Sequence, residues 1–335
     1  MNAHIRANLW LLGATVLLCC VLYPLSLWAI GQSVFPHRAT GSLVVEDGKT
    51  IGSILIAQPF VCDEYFWPRP SAVSYNAAGS GGSNYGASNP KLRARVAQTL
   101  GPIVKYAQSN RLVGKDIERW FQRDCFQGKP NIVAQWAEKY PFAAQDWVKA
   151  DSLNGEYVRD WQTAHVEEIE AWRKNNPDIT DPKPDDLAVP FFDSFSRTFP
   201  GRWPGTVEDK AGKRIVPTME DSSIQANFFE MWLEEHSDVK LEQVPADLVM
   251  ASGSGLDPHI TLKNAEYQLD RVADAWSKKT GGKPRDVRKA IEMLLQEKST
   301  APLGGWAGVE LINVLEVNRA LRDREMFFRL REKGR

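Results

Sequence analysis

From Leu9 to Ile30 the chain carries no charged side chain, an unbroken apolar run of about 22 residues, long enough to constrain everything that follows. At ~1.5 Å rise per residue, a helix of that length spans about 33 Å, close to the hydrocarbon thickness of a bilayer. Trp10 and Trp28 stand near its two ends, where amphipathic rings favour the membrane interface. Pro24 lies inside the run and predicts a kink, which membrane helices tolerate when neighbouring groups satisfy the freed carbonyl. A cleaved leader would have a shorter apolar core, with small residues three and one before the cut. Here Leu27-Trp28-Ala29 puts a large residue at the first of those places. The run therefore reads as a retained anchor at 9–31, after a short N-terminus at 1–8. Arg6 and the amino terminus precede it, while Arg38 and Lys49 follow it, so charge alone does not orient it.

The 335 residues suffice for one large domain or two smaller ones with real cores. A formal net charge of -1 argues against a nucleic-acid partner, which calls for a basic excess. Cys19 and Cys20 lie in the anchor and act there as small hydrophobes. Cys62 and Cys125 remain in the soluble part, where pairing and two free thiols are both open.

Two stretches are too polar and too flexible to have been chosen for packing. Residues 75–90 read Tyr-Asn-Ala-Ala-Gly-Ser-Gly-Gly-Ser-Asn-Tyr-Gly-Ala-Ser-Asn-Pro, and residues 252–260 read Ser-Gly-Ser-Gly-Leu-Asp-Pro-His-Ile. Such runs are either unstructured or hold a backbone shape that larger residues forbid. Both sit beside amphipathic segments, which favours shaped loops that face something. Around them, Asp47-Gly48 between β-branched runs predicts a hairpin in 41–60. The aromatic and proline segment 65–72 reads as extended. Ser88-Asn89-Pro90 looks like an N-cap followed by a first-turn proline, with a helix from about Lys91 to Tyr106.

Between 107 and 243 the texture changes. Seven of the twelve tryptophans fall here: Trp120, Trp136, Trp147, Trp161, Trp172, Trp203 and Trp232. They fill a core or form a stacking surface, and the core is the more economical reading. Helical periodicity runs from Tyr157 to Lys174 and from Ile224 to Glu235, whereas 176–217 is proline-rich and shows few signals for regular elements. After this, Val244–Val249 reads as a helical turn or a strand. Thr261 caps a helix whose apolar face is Ala265, Leu269, Val272, Ala273 and Trp276. A second helix is predicted over Arg285–Glu297, a buried strand over Val309–Val317, and a charged helix at the end.

No catalytic constellation stands out. There is no Gly-x-Ser-x-Gly elbow, and the glycine-rich 79–86 lacks the Gly-Lys-Ser/Thr ending of a phosphate loop. His4, His37, His165, His236 and His259 are scattered, with no metal-ligand spacing. Asp257-Pro258-His259 suggests acid–base chemistry, but a capped turn with a satisfied histidine explains it better. Lys278-Lys279-Thr280-Gly281-Gly282 echoes a P-type phosphorylation loop, yet lysine stands where the phosphoacceptor aspartate belongs; it reads as a helix-ending loop.

The order of several short motifs resembles one family, the C subunit of Kdp-type potassium-transporting ATPases (KdpC). They begin with Tyr23-Pro24, Phe35-Pro36, Gly41-Ser42-Leu43, Gly52-Ser53 and Gln58-Pro59-Phe60, then Phe66-Trp67-x-Arg69-Pro70-Ser71-Ala72. Tyr75-Asn76-Ala77-Ala78-x-Ser80-Gly81-Gly82-Ser83-Asn84 and Ser88-Asn89-Pro90 follow. The last are Ser252-Gly253-Ser254-Gly255-Leu256-Asp257-Pro258-His259-Ile260 and Asn313-Val314-Leu315-x-x-Asn318-x-Ala320-Leu321. The resemblance covers roughly 5–105 and 244–323. It implies a cytoplasmic 1–8, the anchor at 9–31, an extracytoplasmic α+β domain with a small sheet split into 32–106 and 244–335, and a largely helical insertion at 107–243. Long insertions in surface loops are tolerated thermodynamically.

The resemblance further implies a single-pass subunit of the cell (inner) membrane, the bulk of the chain lying outside it. Its partners would be a channel-like potassium-binding subunit, a P-type ATPase catalytic subunit, a small stabilising peptide and membrane lipid, with no nucleic acid. The complex would use ATP, magnesium and potassium, while this chain binds no cofactor of its own and is not catalytic. The family also carries an ATP-binding label. An extracytoplasmic domain without a phosphate cradle would promote ATP binding only indirectly. Asn76, Ser80, Ser83, Asn84, Asn89, Ser252, Ser254, Asp257 and His259 are the candidates for a surface that meets the partner or the ion entrance. The alternative is a membrane-anchored envelope-binding module that grips its ligand with the tryptophan-rich insertion.

Overall fold

A computed structural model describes residues 2–123, 132–150, 155–209, 212–306 and 308–330. One long apolar helix opens the chain. It is α-helical over Asn2–Val16, widens to a π-helical stretch over Leu17–Leu22, and returns to α over Tyr23–Val34. The wide turns fall just before Pro24, and the Tyr23 N–H bonds back to the Leu18 carbonyl. Proline has no N–H to continue the ladder, and a π-turn is one way to absorb that defect. The segment His4–Val34 is long and apolar enough to cross a membrane and is buried nowhere in the chain. Trp10 and Trp28 are exposed, as expected for side chains that lipid would cover.

The remainder is a mixed α/β body with small sheets, and it divides into two compact units, 1–83 with 245–335, and 84–244. In the first unit Leu43–Glu46 and Lys49–Ser53 form the antiparallel hairpin, with Glu46 opposite Lys49 across the Asp47-Gly48 turn. Asp47 and Gly48 both have positive φ, at 48° and 75°, which is the backbone a two-residue turn of this kind requires. The core of the unit joins the helices Leu262–Thr280, Pro284–Lys298 and Val314–Leu330 to a short ladder of His259–Thr261 with Leu311–Asn313. Thr261 Oγ1 accepts from the Asn264 N–H at 3.1 Å, and the named apolar face from Ala265 to Trp276 is buried. Gly281 ends that helix at φ 75°. Residues Ala246–Val249 make a single helical turn.

The expected strand over Val309–Val317 is shorter than its apolar run. Only Leu311–Asn313 is extended, because Asn313 Oδ1 accepts the Glu316 N–H at 3.2 Å and opens a helix at Val314.

The second unit begins at Asn84, so residues 84–106 cluster with the tryptophan-rich stretch. Its Pro90–Ile103 helix starts on Asn89, whose side chain accepts the Lys91 N–H at 2.9 Å, and ends three residues before Tyr106. This helix packs on Ser222–Glu235 so closely that a Cβ at Gly101 would stand 1.9 Å from the Gln225 carbonyl oxygen. The tryptophans mostly fill the core. Trp120, Trp136, Trp161, Trp203 and Trp232 are buried, and Trp147 and Trp172 pack against the same cluster. Trp136 meets Trp203 edge-on at 5.0 Å, and Phe192 stacks on Trp203 at 5.3 Å.

Two sequence expectations for this unit need correction. The single helix from Tyr157 to Lys174 is two, Glu156–Ala164 and Val166–Asn175. His165 breaks it, its ring nitrogen lying 2.9 Å from the Trp161 carbonyl at the end of the first helix. The proline-rich 176–217 is also far from irregular. It holds the helix Ala188–Thr198 and the strand Trp203–Asp209, which pairs with Gly212–Thr218 and sets Pro204 opposite Pro217. A two-stranded ribbon leaves many backbone donors without a strand partner, and proline fits those positions. Cys62 is exposed; a bridge to Cys125 concerns a residue outside the described ones.

Candidate functional site

The segment after the hairpin has neither helix nor strand, yet its backbone is held almost as a strand would be. Asn318 Oδ1 accepts the Phe66 N–H at 2.8 Å and its Nδ2 donates to the Phe66 carbonyl at 2.9 Å. Gln268 repeats the pattern on Trp67, at 2.8 and 3.1 Å. Two buried amides thus take the part of a neighbouring strand, and each backbone group they satisfy would otherwise be a buried orphan. Gln268 is fixed in turn by Asn264, and Asn264 by Asp247. Arg271 donates to the carbonyls of Asp63 and Tyr65 at 2.8 and 3.1 Å, and its guanidinium lies 3.7 Å from the Trp67 ring centre. Burial draws this guanidinium down to about 10.

This scaffold carries the first polar loop against the second. Ser71 Oγ donates to the Gly255 carbonyl at 2.6 Å and accepts from the Val73 and Tyr75 N–H groups at 3.2 and 2.9 Å. The Tyr75 hydroxyl donates to the Arg69 carbonyl, and burial raises its pKa. The Gly81 N–H donates to the Ser254 carbonyl at 2.8 Å, and Ser80 Oγ reaches the same oxygen at 3.3 Å. Below them, the Ala57 N–H donates to the Leu256 carbonyl at 2.8 Å. Gly255 sits at the centre of the junction with φ 68°. A Cβ there would approach both the Gly81 oxygen and a Val73 methyl to 2.7 Å. Only glycine meets both demands.

Most of the residues singled out from the sequence shape these loops. Asn76 Oδ1 accepts the Ala78 N–H at 3.0 Å while its side chain stays exposed. Ser252 is buried and its Oγ takes the Asp257 N–H at 3.5 Å; Ser254 Oγ takes the Leu256 N–H at 3.1 Å. Asp257 Oδ1 accepts the His259 N–H at 3.0 Å and lies 3.2 Å from Nδ1 of its ring, with Arg69 3.5 Å away on the other oxygen. The His259 ring first, and Arg69 after it, hold the Asp257 carboxyl below its usual range. Ser83 closes the first unit, half-buried, whereas Asn84, exposed at φ 52°, and the N-cap Asn89 belong to the second. Asn76, Ser80, Ser252, Ser254, Asp257 and His259 are therefore gathered in one place, and Asn84 and Asn89 lie in the other unit.

Ser71, Arg69, Gln268, Arg271 and Asn318 are the organisers that the sequence reading left out of the site. The signal for two of them was there, since an amide inside an apolar helix face needs a buried partner. Among the described residues no group of three His, Cys, Asp or Glu side chains lies close enough to hold a metal ion. The surface can offer backbone carbonyls, hydroxyls, one amide and a histidine–carboxylate pair, which is recognition chemistry.

Comparison with known proteins identifies a family. Residues 5–117 and 218–323 match the family KdpC, described as the K+-transporting ATPase, c chain. The unmatched stretch, 118–217, is narrower than the 107–243 read from the sequence. The chain is similar to the potassium-transporting ATPase KdpC subunit of Parvibaculum lavamentivorans, 46% identical over 95 residues, covering 28% of this chain and 51% of that protein. With the subunit of that name from Burkholderia cenocepacia it shares 54% identity over 82 residues, 22% of this chain and 42% of the other. The one from Staphylococcus haemolyticus is 46% identical over 106 residues, 29% and 57%. The chain spans about half the length of the curated relatives it matches.

Proposed function

The chain belongs to the KdpC family, the c chains of K+-transporting ATPases, and from that premise we propose that it serves an ATP-driven potassium importer as a single-span accessory subunit. In this reading the helix His4–Val34 crosses the cell membrane once and the body lies outside it. The body is not itself catalytic. Its two joined loops dock on a channel-like potassium-binding subunit near the outer ion entrance, beside a P-type ATPase catalytic subunit and a small stabilising peptide. ATP, magnesium and potassium are then handled by the complex, and any effect of this chain on ATP binding is indirect.

The observation that carries the reading is the junction at Gly255. Two segments more than 170 positions apart, both matched by the family, are joined through the Gly81 N–H and the Ser71 and Ser80 hydroxyls into one oxygen-rich surface, whose Asp257 carboxylate is paired with Arg69. Such a surface meets a protein partner or a partly hydrated cation mainly through neutral carbonyl and hydroxyl oxygens. The alternative, an envelope-binding module using exposed tryptophans, has less support, since five of the seven are buried.

The test is co-purification of the full chain with the pump subunits, followed by potassium-stimulated ATP hydrolysis with Asp257→Ala and Asn84→Ala made singly. Reduced assembly or stimulation is expected from Asp257→Ala, the smaller loss from Asn84→Ala. Wild-type assembly and rates in both would remove these residues from the docking surface.

A further inference from the structure

The first strand of the hairpin that follows the anchor is apolar on both sides. Val44 is buried, but Leu43 and Val45, which alternate with it, point outward and are exposed, Val45 to 53%. An antiparallel hairpin with one face on a core ordinarily turns polar side chains outward. Phe35, just beyond the anchor, is exposed as well.

Several observations identify what covers this face. The path from anchor to hairpin is not a free linker. Phe35 N–H bonds to the Gly31 carbonyl, Ala39 to Phe35, Thr40 to Pro36 and Ser42 to His37; Ser53 Oγ then donates to the Gly41 carbonyl at 2.7 Å. The distance is also short. Four helical residues past Ile30 rise about 6 Å, which is the depth of one headgroup layer. Finally, the hairpin has cations around it. Arg38 and Lys49 are exposed, while Arg319 and Arg322 both pair with Glu46 on the hairpin. With Asp47 at the tip, the hairpin and the groups bonded to it, together with Arg38, carry four cations and two anions, and the arginines' own helix adds exposed Glu316 and Asp323. Aliphatic side chains ringed by arginine and lysine suit the boundary between acyl chains and anionic headgroups.

We propose that the Leu43–Ser53 hairpin rests on the membrane surface, with Leu43 and Val45 in the headgroup–acyl boundary and Arg38, Lys49, Arg319 and Arg322 facing anionic lipid. The contact sets the height of the body above the bilayer. It is independent of which protein the polar loops meet.

The experiment uses the full chain with Cys19, Cys20, Cys62 and Cys125 replaced by serine and a nitroxide on Val45→Cys. A second chain carries the label on Lys289→Cys, an exposed position on the Pro284–Lys298 helix. Both are placed in vesicles of mixed phosphatidylethanolamine and phosphatidylglycerol, and collisions with oxygen and with a water-soluble nickel chelate are measured. The expected oxygen-to-nickel ratio at Val45 is severalfold that at Lys289, falling toward the water value when Arg38→Glu and Lys49→Glu are added. Equal ratios at the two positions overturn the proposal. So does shielding of Val45 that appears only after the pump subunits are added, which assigns the face to a protein.

Discussion

The two units achieve order by opposite means. The second is held by burying rings: Trp136, Phe192, Trp203 and Phe228 meet at 5.0 to 6.1 Å in a buried cluster. The first places its polar loops through single hydrogen-bonded side chains, each serving a particular backbone group. Aromatic packing tolerates variation so long as volume is kept, whereas a side chain that satisfies one buried carbonyl has few substitutes. The difference teaches where shape is needed. The loops keep a defined backbone with little core of their own, while the second unit keeps its shape through its ring cluster.

That contrast can be broken most forcefully at Trp203. Trp203→Ala empties a fully buried site and should destabilise the second unit by about 3–5 kcal/mol, read from denaturant unfolding of the full chain. Near-wild-type stability would mean that the ring cluster is not what holds the unit. Next in size is Asn318→Ala, which leaves the Phe66 N–H and carbonyl buried and unpaired; a loss of about 2–4 kcal/mol is expected. Amide exchange should show Phe66 losing protection in that variant, with the Trp136 cluster unchanged. If both regions soften equally, the contrast drawn here is wrong.

Smaller still is the cap. Asn89→Ala removes the acceptor for the Lys91 N–H and should cost about 1 kcal/mol, whereas Asn89→Ser should restore most of it. The smallest effect belongs to Asp257. Its side chain is partly exposed, so Asp257→Asn should cost below about 1 kcal/mol. The sign of its pH dependence is fixed by the lowered carboxyl. The stabilisation is whole above the ordinary carboxylate value of about 3.9 and fades as pH falls through the lower folded-state value. Unfolding followed below pH 4 should therefore show a shallower acid slope for Asp257→Asn; an identical slope would leave Asp257 uncoupled from the loop.

What could be read from the sequence was local. The Asp47-Gly48 turn, the Asn89 and Thr261 caps and the apolar stripe from Ala265 to Trp276 each announce themselves within a few residues, and all are present. His165 was the exception at short range: the flanking stretches share one helical period, and only its bond to the Trp161 carbonyl separates them. The Trp203–Thr218 ribbon was hidden because its prolines mark turns in most contexts, yet suit the outer edge of a ribbon. The scaffold of the loops was not legible. Gln268 meets Trp67 across 201 positions and Asn318 meets Phe66 across 252, and no periodicity links such pairs. The motifs therefore singled out the two loops that the structure joins, but not the helix side chains that shape them.

Everything rests on the two loops acting as one surface. Gly255→Val in the purified pump complex tests this most directly, because it forces the junction apart at Gly81 and Val73 without removing any outward-facing polar group. The account predicts a chain that still folds, with the aromatic cluster intact, but that assembles poorly and supports little potassium-stimulated ATP hydrolysis. Wild-type assembly and hydrolysis with the junction broken would contradict it.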